Sequence, residues 1–163
     1  MLVFYDVFES AHNIYFITEY CNGGDLETKI FENKGPLNEK EALKITYHIT
    51  LGLSGLTEKN IIHRDLKPAN IFIHDSTYKL GDFGFAKKVH EMFYTWCGTK
   101  AFMAPEFYCN DPKTVKVDIW ALGCILHYML FNIHAWSGSC GKVRTQEYKI
   151  PEGFSVGKDT EDL

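Results

Sequence analysis

The chain is poor in arginine. Of its 17 cationic residues all are lysine except Arg64 and Arg144, so forks suited to clamping a phosphate are scarce. It also lacks a basic surplus. Seventeen Lys and Arg against 21 Asp and Glu leave a net charge of −4, which excludes bulk attraction to nucleic acid or anionic lipid. Five cysteines, at 21, 97, 109, 124 and 140, make an odd number, and no pair has C-x-x-C spacing. A disulfide framework and a zinc site are disfavoured, and a reducing, cytoplasmic setting fits best. Residues 1–10 have no basic run and carry Asp6, so they do not read as a signal peptide. No hydrophobic run is long. The most apolar stretch, Trp120 to Phe131, includes His127 and is too short to span a bilayer; it reads as a buried helix. Internal repeats and low-complexity tracts are absent.

What remains is a chain of 163 residues, 45% hydrophobic and 23% charged, the composition of one globular domain. Leu2 to Phe8 and Ile14 to Tyr20 are rich in aromatic and β-branched residues and flank the polar turn Glu9 to Asn13, which predicts a β-hairpin. Asn22-Gly23-Gly24-Asp25 breaks the chain, with Asp25 placed to cap a short helix reaching Phe31. Asn38 followed by Glu41 is a variant capping box. Ala42, Ile45, Ile49, Leu53 and Leu56 then form the buried stripe of a helix running to about Lys59. Residues 61–82 alternate short apolar runs with polar turns and predict small strands. Residues 83–104 show no sustained periodicity. Asp118 to Phe131 is the apolar helix, with Asn132 as a left-handed stop. After Ala135 the composition turns loop-like. The fold class is α+β.

Chemistry enters at His63-Arg64-Asp65-Leu66-Lys67-Pro68-Ala69-Asn70. Twelve residues beyond Asn70 comes Asp82-Phe83-Gly84, and beyond it Ala104-Pro105-Glu106 and Asp118-Ile119-Trp120-Ala121-Leu122-Gly123. Singly, each residue has a plain structural reading. A loop aspartate is usually a solvated turn residue, and Asn70 suits an Asx-turn. Turn chemistry accounts neither for Lys67 nor for the spacing to Asp82.

The four strings, in this order, resemble the eukaryotic protein-kinase set of H-R-D-L-x-x-x-N, D-F-G and A-P-E, with the D-x-W-x-x-G that opens the central C-lobe helix of that family. The resemblance implies a Ser/Thr protein kinase that transfers the γ-phosphate of ATP to protein hydroxyls. In it Asp65 is the catalytic base, Asn70 and Asp82 are oxygen ligands for Mg2+, and Lys67 steadies the γ-phosphate. Lys67 favours Ser/Thr over Tyr acceptors. His63 reads as a packing residue beneath Phe83, joined to Asp118, with Phe4 continuing the stack. Ile17 to Leu26 resembles gatekeeper and hinge. Thr18 is the gatekeeper, Glu19 and Cys21 offer backbone groups to adenine, Asp25 meets the ribose, and Phe72 is the apolar floor. Arg64 before the base marks kinases whose activation loop is ordered by phosphorylation. Thr95 is the expected phosphosite, modified by an upstream kinase or by autophosphorylation, with Lys87 or Lys88 as a second cation. Thr99 is expected to bond Asp65 and Lys67. Ala69 cannot pair with arginine, so no strong basic requirement upstream of the acceptor is expected.

The whole chain, 1–163, then reads as an incomplete kinase domain. Residues 1–21 are an N-lobe hairpin and hinge, and residues 22–163 a partial C-lobe with Ile49 and Ile125 in its core. No G-x-G-x-x-G loop or V-A-I-K lysine precedes the hairpin, and no late arginine partners Glu106. Weak or no activity of the isolated chain is therefore expected, and an apolar patch on the exposed hairpin and the uncovered C-lobe face. The expected partners are protein substrates, with neither nucleic acid nor a membrane span. A noncatalytic kinase-like binding or regulatory module is the alternative. Glu19 to Leu26, Gly81 to Lys87 and Thr95 to Thr99 are similar to strings of the autophagy-initiating Ser/Thr kinases.

Overall fold

The N-terminal residues form a strand pair with neither face buried. The computed structural model describes residues 1–89, 98–108, 111–136 and 147–163. Strands β1 (Phe4–Glu9) and β2 (Ile14–Thr18) run antiparallel, with Phe8 opposite Tyr15 and Glu9 opposite Ile14. Their turn is closed by Ser10 N–H donating to Asn13 O at 2.8 Å. Every residue of both strands is exposed. Aromatic and β-branched content makes these strands, since neither face has been buried. The hairpin joins the rest through its ends, with Leu2 N–H on Leu80 O at 2.7 Å and Glu19 on Lys79. That attachment corrects one expectation. Phe4 stands 56% exposed and does not extend the ring stack of Phe83.

Helix α1 (Leu26–Glu32) starts where Asp25 accepts the Thr28 N–H at 2.9 Å. Helix α2 (Glu39–Thr57) starts where Asn38 Oδ1 accepts the Glu41 N–H at 2.9 Å. Only half of the capping box forms. The Glu41 carboxylate turns instead to Lys29 at 2.9 Å, where a full charge outweighs a backbone amide. The expected stripe, Ala42 to Leu56, is buried. The helix ends at Thr57, short of Lys59, and Asn60 at φ 53° reverses the chain.

Four short strands follow: β3 (Ile61–Ile62), β4 (Ile71–His74), β5 (Thr77–Leu80) and β6 (Lys87–Lys88). β4 and β5 form a hairpin with Ile71 opposite Leu80 and Phe72 opposite Lys79. β3 pairs with β6. Gly52 lets β5 lie on α2, because a Cβ there would stand 2.8 Å from Leu80 Cδ1.

Helix α3 (Lys116–Phe131) is apolar nearly all round, and most of it from Val117 to Phe131 is buried, as such a helix requires. Asn132, at φ 55°, stops it as expected. Its Ile125 and Met129 meet Ile45, Ile49 and Leu53 of α2 in one core. Helix α4 (Lys158–Glu161) is tied to α2 by Glu39, which accepts from Gly157 N–H at 2.9 Å and from the Thr160 hydroxyl. The α+β class is as expected. Among the described residues, no helix is long and apolar enough to cross a membrane.

Two stability predictions follow from these contacts. Asn38→Ala leaves the Glu41 amide uncapped and should cost about 1 kcal/mol, read from the urea midpoint. His127 packs edge-on to Phe131 and bonds the Tyr148 hydroxyl through Nδ1 at 3.0 Å. Burial, helped by His134, lowers its pKa from 6.5 to about 4. The unfolded chain takes up this proton below pH 6.5 and the folded chain refuses it until pH 4, so stability should fall across that window. His127→Leu should flatten this acid limb in urea titrations at pH 7 and pH 4.5.

Candidate active site

The loop that follows β3 is shaped by a carboxylate from another element. Asp118, in the first turn of α3, is buried. It accepts the His63 N–H on Oδ2 at 2.7 Å and the Arg64 N–H on Oδ1 at 3.0 Å. Burial pushes its carboxyl upward against these two amides, which favour the charged form. The bonds hold Arg64 at φ 69°, a left-handed conformation that a non-glycine residue adopts at a cost. His63 is fully buried. Its Nε2–H donates to Gly81 O at 3.0 Å, and its ring lies 5.2 Å from that of Phe83. It is joined to Asp118 through its backbone and not through its ring.

The bend delivers Asp65, 4% exposed, into a ring of donors. Lys67 Nζ stands 2.8 Å from Oδ2 and Asn70 Nδ2 stands 3.2 Å from the same oxygen. The Thr99 N–H donates to Oδ1 at 3.1 Å and its hydroxyl to the same atom at 3.4 Å. Thr99 reaches so far because Gly98 precedes it at φ 105°, where a Cβ would stand 2.8 Å from Arg64 O. Charge-assisted bonds of this kind fix a carboxylate's direction as well as its place.

The β4–β5 register joins the next residue to this group. One step outward from Ile71 and Leu80, Gly81 N–H donates to Asn70 O at 3.0 Å. Asp82 therefore leaves the strand beside Asn70. It is exposed, at φ 55°, and accepts the Gly84 N–H at 3.3 Å. Asn70 Nδ2 also donates to Asp65 O at 2.8 Å. Its amide nitrogen is thus committed to Asp65, which leaves the amide oxygen as the acceptor end. Asn70 and Asp82 offer hard oxygen donors of the type a magnesium ion takes.

A second group lies along the segment after β2. Gly23 N–H donates to Ile73 O at 2.8 Å and Ile73 N–H to Gly24 O at 2.9 Å, so this segment runs beside β4. Asp25 is bridged to Phe72, which brings the residues expected at ribose and adenine together. Both Asp25 oxygens also serve Thr28, through its N–H and its hydroxyl. Thr18 is exposed and its hydroxyl donates to Glu19 O at 3.3 Å. Cys21 is half-buried, and burial, then the Glu19 charge, pushes its thiol up.

The expected regulatory residues divide. Arg64 Nε donates to Phe85 O at 2.5 Å. Lys87 and Lys88 are exposed in β6. Thr95 lies outside the described residues. Sequence reasoning missed Gly98 and Lys79. Period-two alternation flags Lys79, since it places this residue on the opposite face of β5 from buried Tyr78 and Leu80.

The chain matches the family model described as protein kinase domain over residues 1–160. It is 36% identical over 161 residues to the serine/threonine-protein kinase ATG1a of Arabidopsis thaliana, covering 91% of this chain and 26% of that protein. It is 39% identical over 153 residues to serine/threonine-protein kinase atg1 of Dictyostelium discoideum, covering 87% and 23%. Against serine/threonine-protein kinase Nek1 of Mus musculus the values are 38% over 151 residues, 90% and 12%. The chain thus spans about a quarter or less of these relatives' length. On the matched model, the similarity to these kinases and the four motifs in order, the chain belongs to the protein kinase domain family, serine/threonine type.

Proposed function

We propose that the chain carries the phosphoryl-transfer residues of a protein Ser/Thr kinase, with ATP and a protein hydroxyl as substrates. The observation that supports this reading most is the double role of Asn70. Its amide nitrogen holds Asp65, and its backbone carbonyl holds Gly81 beside Asp82.

In the proposed reaction the acceptor oxygen attacks the γ-phosphorus while the bond to the β-phosphate oxygen breaks, and ADP departs. Asp65 takes the hydroxyl proton. Its orientation comes from Thr99, Asn70 and Lys67. Lys67 is the charged member of that set and is 27% exposed, so its ammonium can turn from Asp65 toward the transferred phosphoryl group. Asn70 Oδ1 and the Asp82 carboxylate would hold Mg2+, which when bound supplies positive charge against the phosphate oxygens. At the other end, backbone groups of Glu19 and Cys21 would read the adenine edge, Phe72 would lie beneath the ring, and Asp25 would meet the ribose. Thr18 would border the pocket.

Thr95 is proposed as the phosphosite of an activating kinase or of autophosphorylation, with Arg64 as its clamp, and the cytoplasm as the setting. The alternative, a noncatalytic kinase-like module, draws support from the hairpin, where an apolar surface is exposed along both strands.

Magnesium-dependent ATP binding by the purified chain separates the two. Asp82→Asn should remove the magnesium-dependent gain in ATP affinity and leave adenosine affinity within about twofold; calorimetry with and without magnesium reads both. Gly98→Ala forces a Cβ onto Arg64 O and withdraws Thr99 from Asp65. It should cost about 1–3 kcal/mol in the urea midpoint and lower phosphate transfer to a Ser/Thr peptide mixture by about tenfold or more.

A further inference from the structure

An ion pair behind the hinge has no part in the phosphoryl-transfer chemistry. Glu19 directly follows β2 and closes the hairpin twice. Its N–H donates to Val3 O at 2.9 Å, and its Oε1 accepts the Val3 N–H at 2.7 Å. Its other oxygen, Oε2, meets Lys79 Nζ at 2.5 Å. The side chains are 10% and 20% exposed, so water competes poorly for either charge. The carboxyl of Glu19 is held below its usual range, first by Lys79 and then by the Val3 amide.

Lys79 comes from a strand packed on the core. Its neighbours Tyr78 and Leu80 are buried in the α2 core, and it stands opposite Phe72. The hairpin that ends at Thr18 has no buried residue with which to locate itself. His74 Nδ1 on Tyr20 O at 2.9 Å and the paired bonds of Asn22 and Asp75 tie the middle and far end of the hinge to β4 and its turn; the strut from β5 to Glu19 holds its near end, where the hairpin enters.

We propose that Lys79 is a positioning residue for nucleotide recognition. Acting through Glu19, it sets the near end of the hinge backbone against Phe72, and affinity for the adenine end depends on it. The inference rests on the reading of that segment as the adenine edge. An ion pair that only stabilised the fold would leave affinity untouched in protein that remains folded.

The test uses the full chain and adenosine, which has no phosphate to engage Asp82 or Lys67. Lys79→Met keeps the side-chain stem and removes the charge; Lys79→Arg keeps the charge. In protein whose circular dichroism is unchanged, Lys79→Met should weaken adenosine binding by about three- to tenfold, and Lys79→Arg should stay within about twofold of the parent. Should Lys79→Met fail to fold, Glu19→Gln gives the same reading, because it retains an acceptor for the Val3 amide. Unchanged adenosine affinity in the neutral variant overturns the inference, as does an Arg variant as weak as the Met variant. A parent chain that binds no adenosine overturns the hinge reading itself, and the inference with it.

Discussion

The Asp118 carboxylate is the constraint on which the rest depends. It is buried at the start of α3 and accepts two consecutive backbone amides, those of His63 and Arg64. A buried charge without partners would be costly; here two amides supply them. The same two bonds hold Arg64 in a left-handed conformation that would otherwise relax. That bend turns the chain so that Asp65 faces Lys67, Asn70 and Thr99. An apolar helix, made by composition, thus sets the geometry of a loop more than 50 residues before it.

The β4–β5 hairpin carries this geometry outward. Its register puts Asn70 beside Gly81 at one end, and its packing on α2 fixes both. Phe72 and Lys79, opposite one another, leave the buried face and line the side toward the segment after β2. One two-stranded unit thereby relates the proposed phosphate end to the proposed adenine end. The N-terminal hairpin is of another kind: its pairing is local, and polar contacts at its ends hold it where burial does not.

Much of this was legible in the residues. The α2 stripe, the Asp25 and Asn38 caps and the Asn132 stop depend on interactions within a few residues of one another, so spacing revealed them. The candidate cluster was legible because four strings with fixed spacing carry it. Three features were not. Glu41 left its half of the capping box for Lys29, a choice made by a residue on another helix. Phe4 did not join the ring stack, because the bonds that tie the hairpin to the rest, among the described residues, lie at its ends. Lys79 was passed over because its partner lies 60 residues away.

Local chemistry, written in order along the chain, was enough to specify the helix caps, the strand pairing of the N-terminal hairpin and the residue types of the cluster. Which carboxylate bends the loop at Arg64, which donors surround Asp65, and what locates the hinge were settled only when distant segments met. Those choices turn on burial, which strengthens a charge's need for partners and is a property of the assembled core and of no single stretch of sequence.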